Sequence, residues 1–554
     1  MRRIILRFAS LILAATLSAQ VPPVRVYQLQ DWVSYKNSLY PTSLTNGIEF
    51  VYFGTSGGVI PWHKYGRYWG PPFTTSNGMS GDFVTAVLFD QSTNYLWAAH
   101  GNGLSYLTPT ENTWNNVSKS SLNLPAAEPI IRLGSDPDKL WGQTADGHFF
   151  TVNKVLGFYL ASQTTTVPGV RWEPCSYDPL PEIPNYAIDR DYHYDPRRVF
   201  IDSNLRDFPI VLFHVDASRD VYGGAWGLGL MEGDDNIRKM RIFRAGPLQN
   251  CINALVRGNA MLWMGGAFLD PNPLFKPAGI SAFDPNSNEW SYYEDELIPE
   301  LATGTVNDLA FGDGRLWIAT TQGLTIFETR KNHWKRLSMH NGLNDEIVTS
   351  VALEDSVAWI GTPRGFCTVS IPSYKVKRQK FYSSQNILKI YKIYADDHRI
   401  WFGTDNGLYA VDKLSRIGEH YDINGQKIGL AETAVTEFTT IGASDSLTVF
   451  GHYQGLLIYD RKNQRWQTIA ASGRFDESQL YDIALNENYM WLGTSNGAIL
   501  IRLNDYYQEQ YTTTDGLAGN AVFKILIDGQ DVWFGTDRGL TKYKWGKYAF
   551  QAKN

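Results

Sequence analysis

Residues 347–376 give a template for reading the chain by its apolar and polar positions. Ile347-Val348-Thr349-Ser350-Val351-Ala352-Leu353 is rich in apolar and β-branched residues and predicts a strand. Glu354-Asp355-Ser356 is polar and predicts a turn. Val357 to Thr362 then predicts a second strand, Pro363-Arg364-Gly365 a second turn, and Phe366 to Ile371 a third strand. An outer strand is expected near Tyr374 to Val376. The middle strands are apolar on both faces, as in Leu408-Tyr409-Ala410-Val411, so each sheet should be covered on both sides.

The same pattern returns along the chain. Trp359-Ile360-Gly361-Thr362-Pro363-Arg364-Gly365 is echoed by Trp401-Phe402-Gly403-Thr404-Asp405-Asn406-Gly407, Trp491-Leu492-Gly493-Thr494-Ser495-Asn496-Gly497 and Trp533-Phe534-Gly535-Thr536-Asp537-Arg538-Gly539. Trp317, Trp263, Trp141 and Trp97 head looser copies, and Tyr52, Tyr222 and Val449 stand where the Trp would be in three degenerate ones. That makes eleven units, with Trp317, Trp359 and Trp401 spaced 42 residues apart. A period of about 40–45 residues is that of a four-stranded propeller blade. The predicted fold is therefore all-β, an array of eleven to twelve four-stranded blades that forms two β-propellers. Asn406-Gly407, Asn496-Gly497 and Asn102-Gly103 are suited to the tight turns between second and third strands. The Gly before Thr weakens its strand, which close approach of a neighbouring blade would explain.

The stretch Asp31-Trp32-Val33-Ser34-Tyr35 resembles the end of a repeat without the strands that should precede it. A lone strand at one terminus can complete a blade supplied by the other, here the one ending in Leu540-Thr541-Lys542-Tyr543. The expected domains are a signal peptide over 1–19, a first propeller over 20–300 with an insertion near 171–209, and a second propeller over 301–554. One propeller inserted between blades of the other is the alternative. A smaller insertion is expected at 270–278. Arg2, Arg3 and Arg7 before the apolar run Leu11 to Leu17 predict the secretory leader, with cleavage after Ala19. The expected location is periplasmic or secreted, with no transmembrane segment after cleavage.

The net charge of −6, without basic clusters, argues against nucleic-acid partners. Cys175, Cys251 and Cys367 fit no metal spacing and read as buried thiols. Gly54-Thr55-Ser56-Gly57-Gly58 and Gly493-Thr494-Ser495-Asn496-Gly497 match a nucleophile elbow, but a strand rather than a helix follows, so no catalytic residue is assigned. No cofactor is expected. Aromatic residues are 14% of the chain; eight of the 18 Trp head repeats, and others such as Trp114, Trp290, Trp334 and Trp466 sit on outer strands. Trp62, Tyr65, Tyr68 and Trp69, with Tyr192 and Tyr194, fall in loops and are the candidate ligand platforms. Asp189, Asp191, His193 and Asp195 alternate, would share one face of an extended segment, and are the candidate cation ligands.

The W-x-G-T-x-x-G-L core, with openers such as Asn341-Gly342-Leu343 and Asp515-Gly516-Leu517, resembles the two-component-regulator propeller repeat over roughly Val24 to Phe550. In that family the repeats form periplasmic propellers of hybrid sensor kinases that respond to glycan fragments. A similar pair of propellers occurs in a surface accessory protein of the type IX secretion system, which the stretch Trp32 to Val59 also resembles. No β-sandwich, kinase or sorting domain is expected in this sequence after its repeats. The resemblance therefore implies a non-enzymatic ligand-binding or sensor-like propeller protein, with a glycan or protein ligand. A cell-envelope or type IX secretion accessory factor is the second reading, and a propeller-type polysaccharide-active enzyme the third.

Overall fold

A computed structural model describes residues 27–549 apart from 112, 167, 189–191, 268–277, 302–303, 380–387, 431, 435 and 471–477. The leader and residues 270–277 of the expected short insertion thus lie outside the described residues. Among the described residues the strands form eleven sheets, one for each repeat. Most have four antiparallel strands in sequence order, as in Ser350–Glu354, Val357–Thr362, Gly365–Ser370 and Val376–Arg378. The first of these begins at Ser350 rather than Ile347. The preceding Val348 N–H instead donates to Thr320 of the neighbouring sheet at 2.9 Å.

Each letter of the repeat has a physical task. The Trp side chains are buried between sheets, and three of them donate Nε1–H to an acid five residues earlier: Trp401 to Asp396 (2.7 Å), Trp141 to Asp136 (2.7 Å) and Trp359 to Glu354 (2.8 Å). The Thr hydroxyl closes the following turn from both ends. Thr404 Oγ1 donates to the Gly407 carbonyl at 2.8 Å and accepts the Asn406 N–H at 3.0 Å. Thr320, Thr362, Thr494 and Thr536 repeat the pair. Gly407 sits at φ +86°, a conformation other residues rarely adopt.

The Gly before Thr reports which sheet comes next. A Cβ on Gly403 would lie 2.5 Å from the Phe438 carbonyl, and one on Gly493 would lie 2.5 Å from that of Val522. Gly265 faces Val306, Gly361 faces Ile390, Gly451 faces Leu480, and Gly535 faces Ile252. Taken with the packing of Val348 on Thr320, the sheets of Trp263, Trp317, Trp359, Trp401, Val449, Trp491 and Trp533 follow one another and return to the first. In the same way Gly54 faces Val84, and Gly224 faces Pro41, so the sheets of Tyr52, Trp97, Trp141 and Tyr222 form a second series. The boundary expected near residue 300 coincides with no break, because the Trp263 sheet packs between those of Trp533 and Trp317. The chain passes between the two series at residues 36–40 and 244–253, where Ser38 N–H donates to Ala245 and Asn37 to Leu248.

The N-terminal strand Trp32–Tyr35 is the outer strand of the last sheet, with Trp32 opposite Tyr543 and Tyr35 opposite Leu540. The Trp32 and Tyr543 rings stack at 3.9 Å. Asp31 accepts from Lys547 at 3.0 Å and also from the Tyr548 hydroxyl. The long insertion adds strands rather than a free loop. His193–Asp195 and Val199–Ile201 extend the first part of strand Asp207–Val215, and Ala187–Ile188 lies along the opposite edge, giving a seven-stranded sheet. Arg206 of the insertion donates to Glu294 of the Trp263 sheet at 2.6 Å, tying the two series together. All three cysteines are buried and unpaired by disulfides.

Filling the axial glycine should open the molecule. Gly403→Ala is expected to cost about 1–3 kcal/mol, as overpacking of a close contact does. Gly101→Ala, where the new methyl meets nothing within 4 Å, should change stability by less than about 0.5 kcal/mol in the same urea titration.

Candidate functional site

The inner strands of the seven-sheet series share a tetrad, apolar-x-x-apolar. It reads Ile252-Asn253-Ala254-Leu255, Val306-Asn307-Asp308-Leu309, Val348-Thr349-Ser350-Val351, Ile390-Tyr391-Lys392-Ile393, Phe438-Thr439-Thr440-Ile441, Leu480-Tyr481-Asp482-Ile483 and Val522-Phe523-Lys524-Ile525. In five of the seven the ladder register shifts between the first and third residue. Such a bulge leaves one residue out of the pairing and re-aims its side chain. Here the second residue is released, half-buried, at the end of the axis where the second-to-third-strand turns lie.

These released residues divide the mouth in two. Tyr391, Tyr481 and Phe523 come from the sheets of Trp401, Trp491 and Trp533; the Val449 sheet between the first two supplies Thr439, with Tyr453 in its turn 69% exposed. Tyr481 and Phe523 meet edge to face with centroids 5.0 Å apart. Tyr391 donates to Glu437 at 2.9 Å, and the Lys389 ammonium lies 4.4 Å from its ring centre. Burial, then the Glu437 carboxylate, push the Tyr391 phenol up to about 12. The facing sheets of Trp263, Trp317 and Trp359 supply Asn253, Asn307 and Thr349. Asn307 Nδ2 donates to the Val348 carbonyl at 2.7 Å, and Thr349 Oγ1 to that of Ile390 at 2.6 Å. An aromatic arc thus faces an arc of amides and a hydroxyl.

The third tetrad residues make the floor. Asp308 Oδ1 accepts from Lys392 two sheets away at 2.8 Å, and its Oδ2 from Ser350 and the Val351 N–H, both at 3.0 Å. Asp482 accepts from Lys524 at 2.7 Å and from the Ile525 N–H at 2.8 Å. Burial works against the charge on Asp308, but the Lys392 and Lys524 ammoniums outweigh it and hold the carboxyl below its usual range. Burial likewise opposes the charge on Lys524, and Asp482 with Asp308 overcomes it. Two acids and two bases close the floor with no net charge. A buried set of this kind is tolerated because each ion has its partner.

The axis of the four-sheet series is filled by the chain itself. Arg171–Trp172 pairs with the inner edge of the Trp141 sheet, and Cys175 bridges to Ser43 on the inner edge of the Tyr52 sheet. Glu173 lies between, 7% exposed. Burial pushes its carboxyl up to about 7, against the pull of Arg171, whose Nε is 3.8 Å away, and of the Thr45 hydroxyl.

The residues singled out from sequence are dispersed. Trp62 is a correction: it is core, packed with Phe53, Leu212 and Tyr222, and not a loop platform. Trp69 is half-buried and stacked on Phe243 at 4.4 Å. Tyr65 and Tyr68 are 75% and 52% exposed, and Tyr68 stacks on His63 at 4.9 Å. Tyr192 packs edge-on against Phe208, and Tyr194 donates to the Ile183 carbonyl at 3.1 Å. His193 and Asp195 do share a strand, but Asp195 Oδ1 is engaged by the Arg197 backbone and side chain at 2.8 and 2.9 Å, and Asp189 and Asp191 lie outside the described residues. Sequence reading also passed over Glu128, Asp146 and His148, whose potential ligand atoms lie within 4.8 Å of one another.

No family model matches this sequence, and no curated protein matches it. Solved structures do. PorZ, described as an essential bacterial surface component of the type-IX secretion system of Porphyromonas gingivalis, is 13% identical with a TM-score of 0.52, over 93% of this chain and 87% of that one. The extracellular domains of the putative hybrid two-component systems BT4673 and BT3049 from B. thetaiotaomicron are each 14% identical with TM-scores of 0.43. Those alignments cover 91% and 96% of this chain, and 70% and 77% of theirs. The likeness to PorZ at this identity establishes a common fold, the β-propeller.

Glu173 sets a pH dependence. Its carboxyl titrates near 4.5 in the unfolded chain and near 7 in the folded one, so folding favours the protonated form. Its contribution is greatest below pH 4.5 and is lost as pH rises through 7, by up to about 3 kcal/mol. Glu173→Gln should therefore be the more stable protein at pH 8 and nearly equal to the parent at pH 4.5, read from urea midpoints at the two pH values.

Proposed function

We propose that this chain is an extracytoplasmic, non-catalytic ligand-binding protein, built as a seven-blade propeller that carries a four-sheet unit between its closing strand and its first complete blade. Its ligand is a glycan fragment that enters the axial mouth lined by Tyr391, Tyr453, Tyr481 and Phe523. The observation that carries this reading is the two-sided mouth. A sugar ring has an apolar face that packs on aromatic rings and a rim of hydroxyls suited to amides such as Asn253 and Asn307. The non-catalytic reading draws on the floor, where Asp308 and Asp482 are each committed to an ammonium and to backbone N–H groups. Placement outside the cytoplasm draws on the leader Arg2 to Ala19.

A second reading, an envelope or secretion accessory factor, is favoured by the shared fold with PorZ and by the exposed Tyr65 and Tyr68, which could meet a protein partner.

A glycan screen by thermal shift tests the first reading, because a ligand at about 100 times its Kd stabilises the folded state by about 2.7 kcal/mol. Tyr481→Ala and Phe523→Ala should each weaken the selected glycan about tenfold, as loss of an aromatic anchor does. Tyr65→Ala and Tyr68→Ala should leave it unchanged. The reverse pattern would move the site to the Tyr65 turn and end the mouth reading.

A further inference from the structure

The turn between the second and third strands of the Trp141 sheet departs from its sister turns. It reads Thr144-Ala145-Asp146-Gly147-His148 and joins strand Lys139–Thr144 to strand Phe149–Asn153. In the Trp401 sheet the connection passing this turn is held by a neutral pair, the Ala434 N–H donating to Asn406 Oδ1 at 2.8 Å. In the Trp359 sheet Asn344 Nδ2 donates to the Phe366 carbonyl at 2.9 Å. The Trp141 sheet keeps one neutral tie, the Ala145 N–H to the Pro129 carbonyl at 3.0 Å. Beside it, however, Glu128 of the connection meets Asp146 and His148 of the turn. An acid faces an acid where the sister sheets place amides.

The potential ligand atoms of Glu128, Asp146 and His148 all lie within 4.8 Å of one another. His148 Nδ1 is 2.9 Å from Asp146 Oδ2. Asp146 Oδ1 accepts the Thr144 hydroxyl at 2.6 Å and the His148 N–H at 3.3 Å. Those two bonds orient the carboxylate and leave Oδ2 to the cluster, as outer partners of a metal ligand do. Hydrogen bonding with Glu128, then with Thr144, holds the Asp146 carboxyl down at about 2. Glu128 Oε1 is shielded from solvent and has no hydrogen-bond partner among the described residues. Among those residues no Lys or Arg lies in ion-pair range of either carboxylate, and His148 is the sole cationic partner. Two carboxyl groups in contact need a proton or a cation between them, and an unpartnered shielded oxygen adds to the need.

We propose that Glu128, Asp146 and His148 form a binding site for a divalent transition-metal ion of the zinc class, which clips the connection to the turn. Carboxylates with an imidazole are a donor set that such ions take, whereas Mg²⁺ and Ca²⁺ are held by oxygen alone. Ligands of one tetrahedral ion stand roughly 3.4 Å apart, so a small rotation of these side chains closes the set. The ion neutralises the facing acids and supplies the partner that Glu128 Oε1 lacks. Gly147, at φ +92° with nothing within 4 Å of a Cβ placed on it, leaves room for water at the fourth position. The site rests neither on the glycan reading nor on the alternating acids of the insertion.

Calorimetric titration of Zn²⁺ into the whole chain, stripped with a chelator and dialysed at neutral pH, tests the site. The parent should bind one Zn²⁺ per chain, and Mg²⁺ in excess should not displace it. Glu128→Gln and His148→Ala should each weaken Zn²⁺ by at least about tenfold, the effect of losing even an outer partner. His193→Ala, which removes an exposed imidazole of the insertion, should leave the affinity unchanged. Zn²⁺ should also raise the melting temperature of the parent and not that of His148→Ala. Absence of binding by the parent overturns the proposal, as does parental affinity retained in either Glu128→Gln or His148→Ala. Neither result bears on the glycan screen, and loss or retention of glycan by the Tyr481 and Phe523 variants leaves the Zn²⁺ titration untouched.

Discussion

The structure depends on how closely neighbouring sheets approach at the axis. A four-stranded sheet with apolar residues on both faces cannot cover itself, so it must be sandwiched between two others. Near the axis the available width falls to that of a backbone, and this is where the Gly of the W-x-G-T repeat lies against the next inner strand. The Trp beside it fills the space between the sheets, and the Thr beyond it closes the turn. One short stretch of a single strand thus meets three packing demands, which explains why its letters recur together. The stack has no stable end until it returns on itself, and in the seven-sheet series the strand Trp32–Tyr35 completes that return. Its burial, with the Asp31 contacts to the last residues described, joins the two ends of the described chain through one sheet.

The mouth is a consequence of the same crowding. Each inner strand keeps two apolar residues buried toward its neighbours, and the bulge between them expels one residue to the rim and leaves the next on the axis. Rim residues are therefore free of the packing that fixes the rest, and can differ from sheet to sheet. Axis residues are not free: a single unpaired charge there would be costly, and the four that occur balance one another. In the four-sheet series the axis is filled by the segment 171–176. The two series thus solve one geometric problem in different ways.

Much of this was legible in the sequence because the repeat is a direct imprint of the radial packing. The eleven units, the terminal closing strand and the reason for the glycine all follow from it. The site was less legible. Tyr391, Tyr481 and Phe523 lie inside runs that read as ordinary inner strands, broken by Lys392, Asp482 and Lys524. The clue was the spacing of the buried residues, three apart where strict alternation demands two, which marks a bulge. Trp62 read as a loop residue because the Tyr52 unit is degenerate, yet the structure gives it the ordinary work of a core aromatic. The boundary near residue 300 was drawn from the greater regularity of the later units, whereas ring membership is set by which inner strands touch, and Ile252 touches Gly535. The insertion hid its strands among Pro, Asp and Arg because each is only two or three residues long and pairs at the margin of a sheet.

Closure by the N-terminal strand is the claim on which the rest stands, and a cross-link measures it most directly. Ser34 and Thr541 face each other in that sheet, with hydroxyl oxygens 2.8 Å apart and 507 residues between them in sequence. The double variant Ser34→Cys, Thr541→Cys should form an intramolecular disulfide on mild oxidation, seen as a faster-migrating band without reductant, and should melt at a higher temperature oxidised than reduced. A pair that remains as free thiols in the folded protein, or that links only between molecules, would contradict the closed ring.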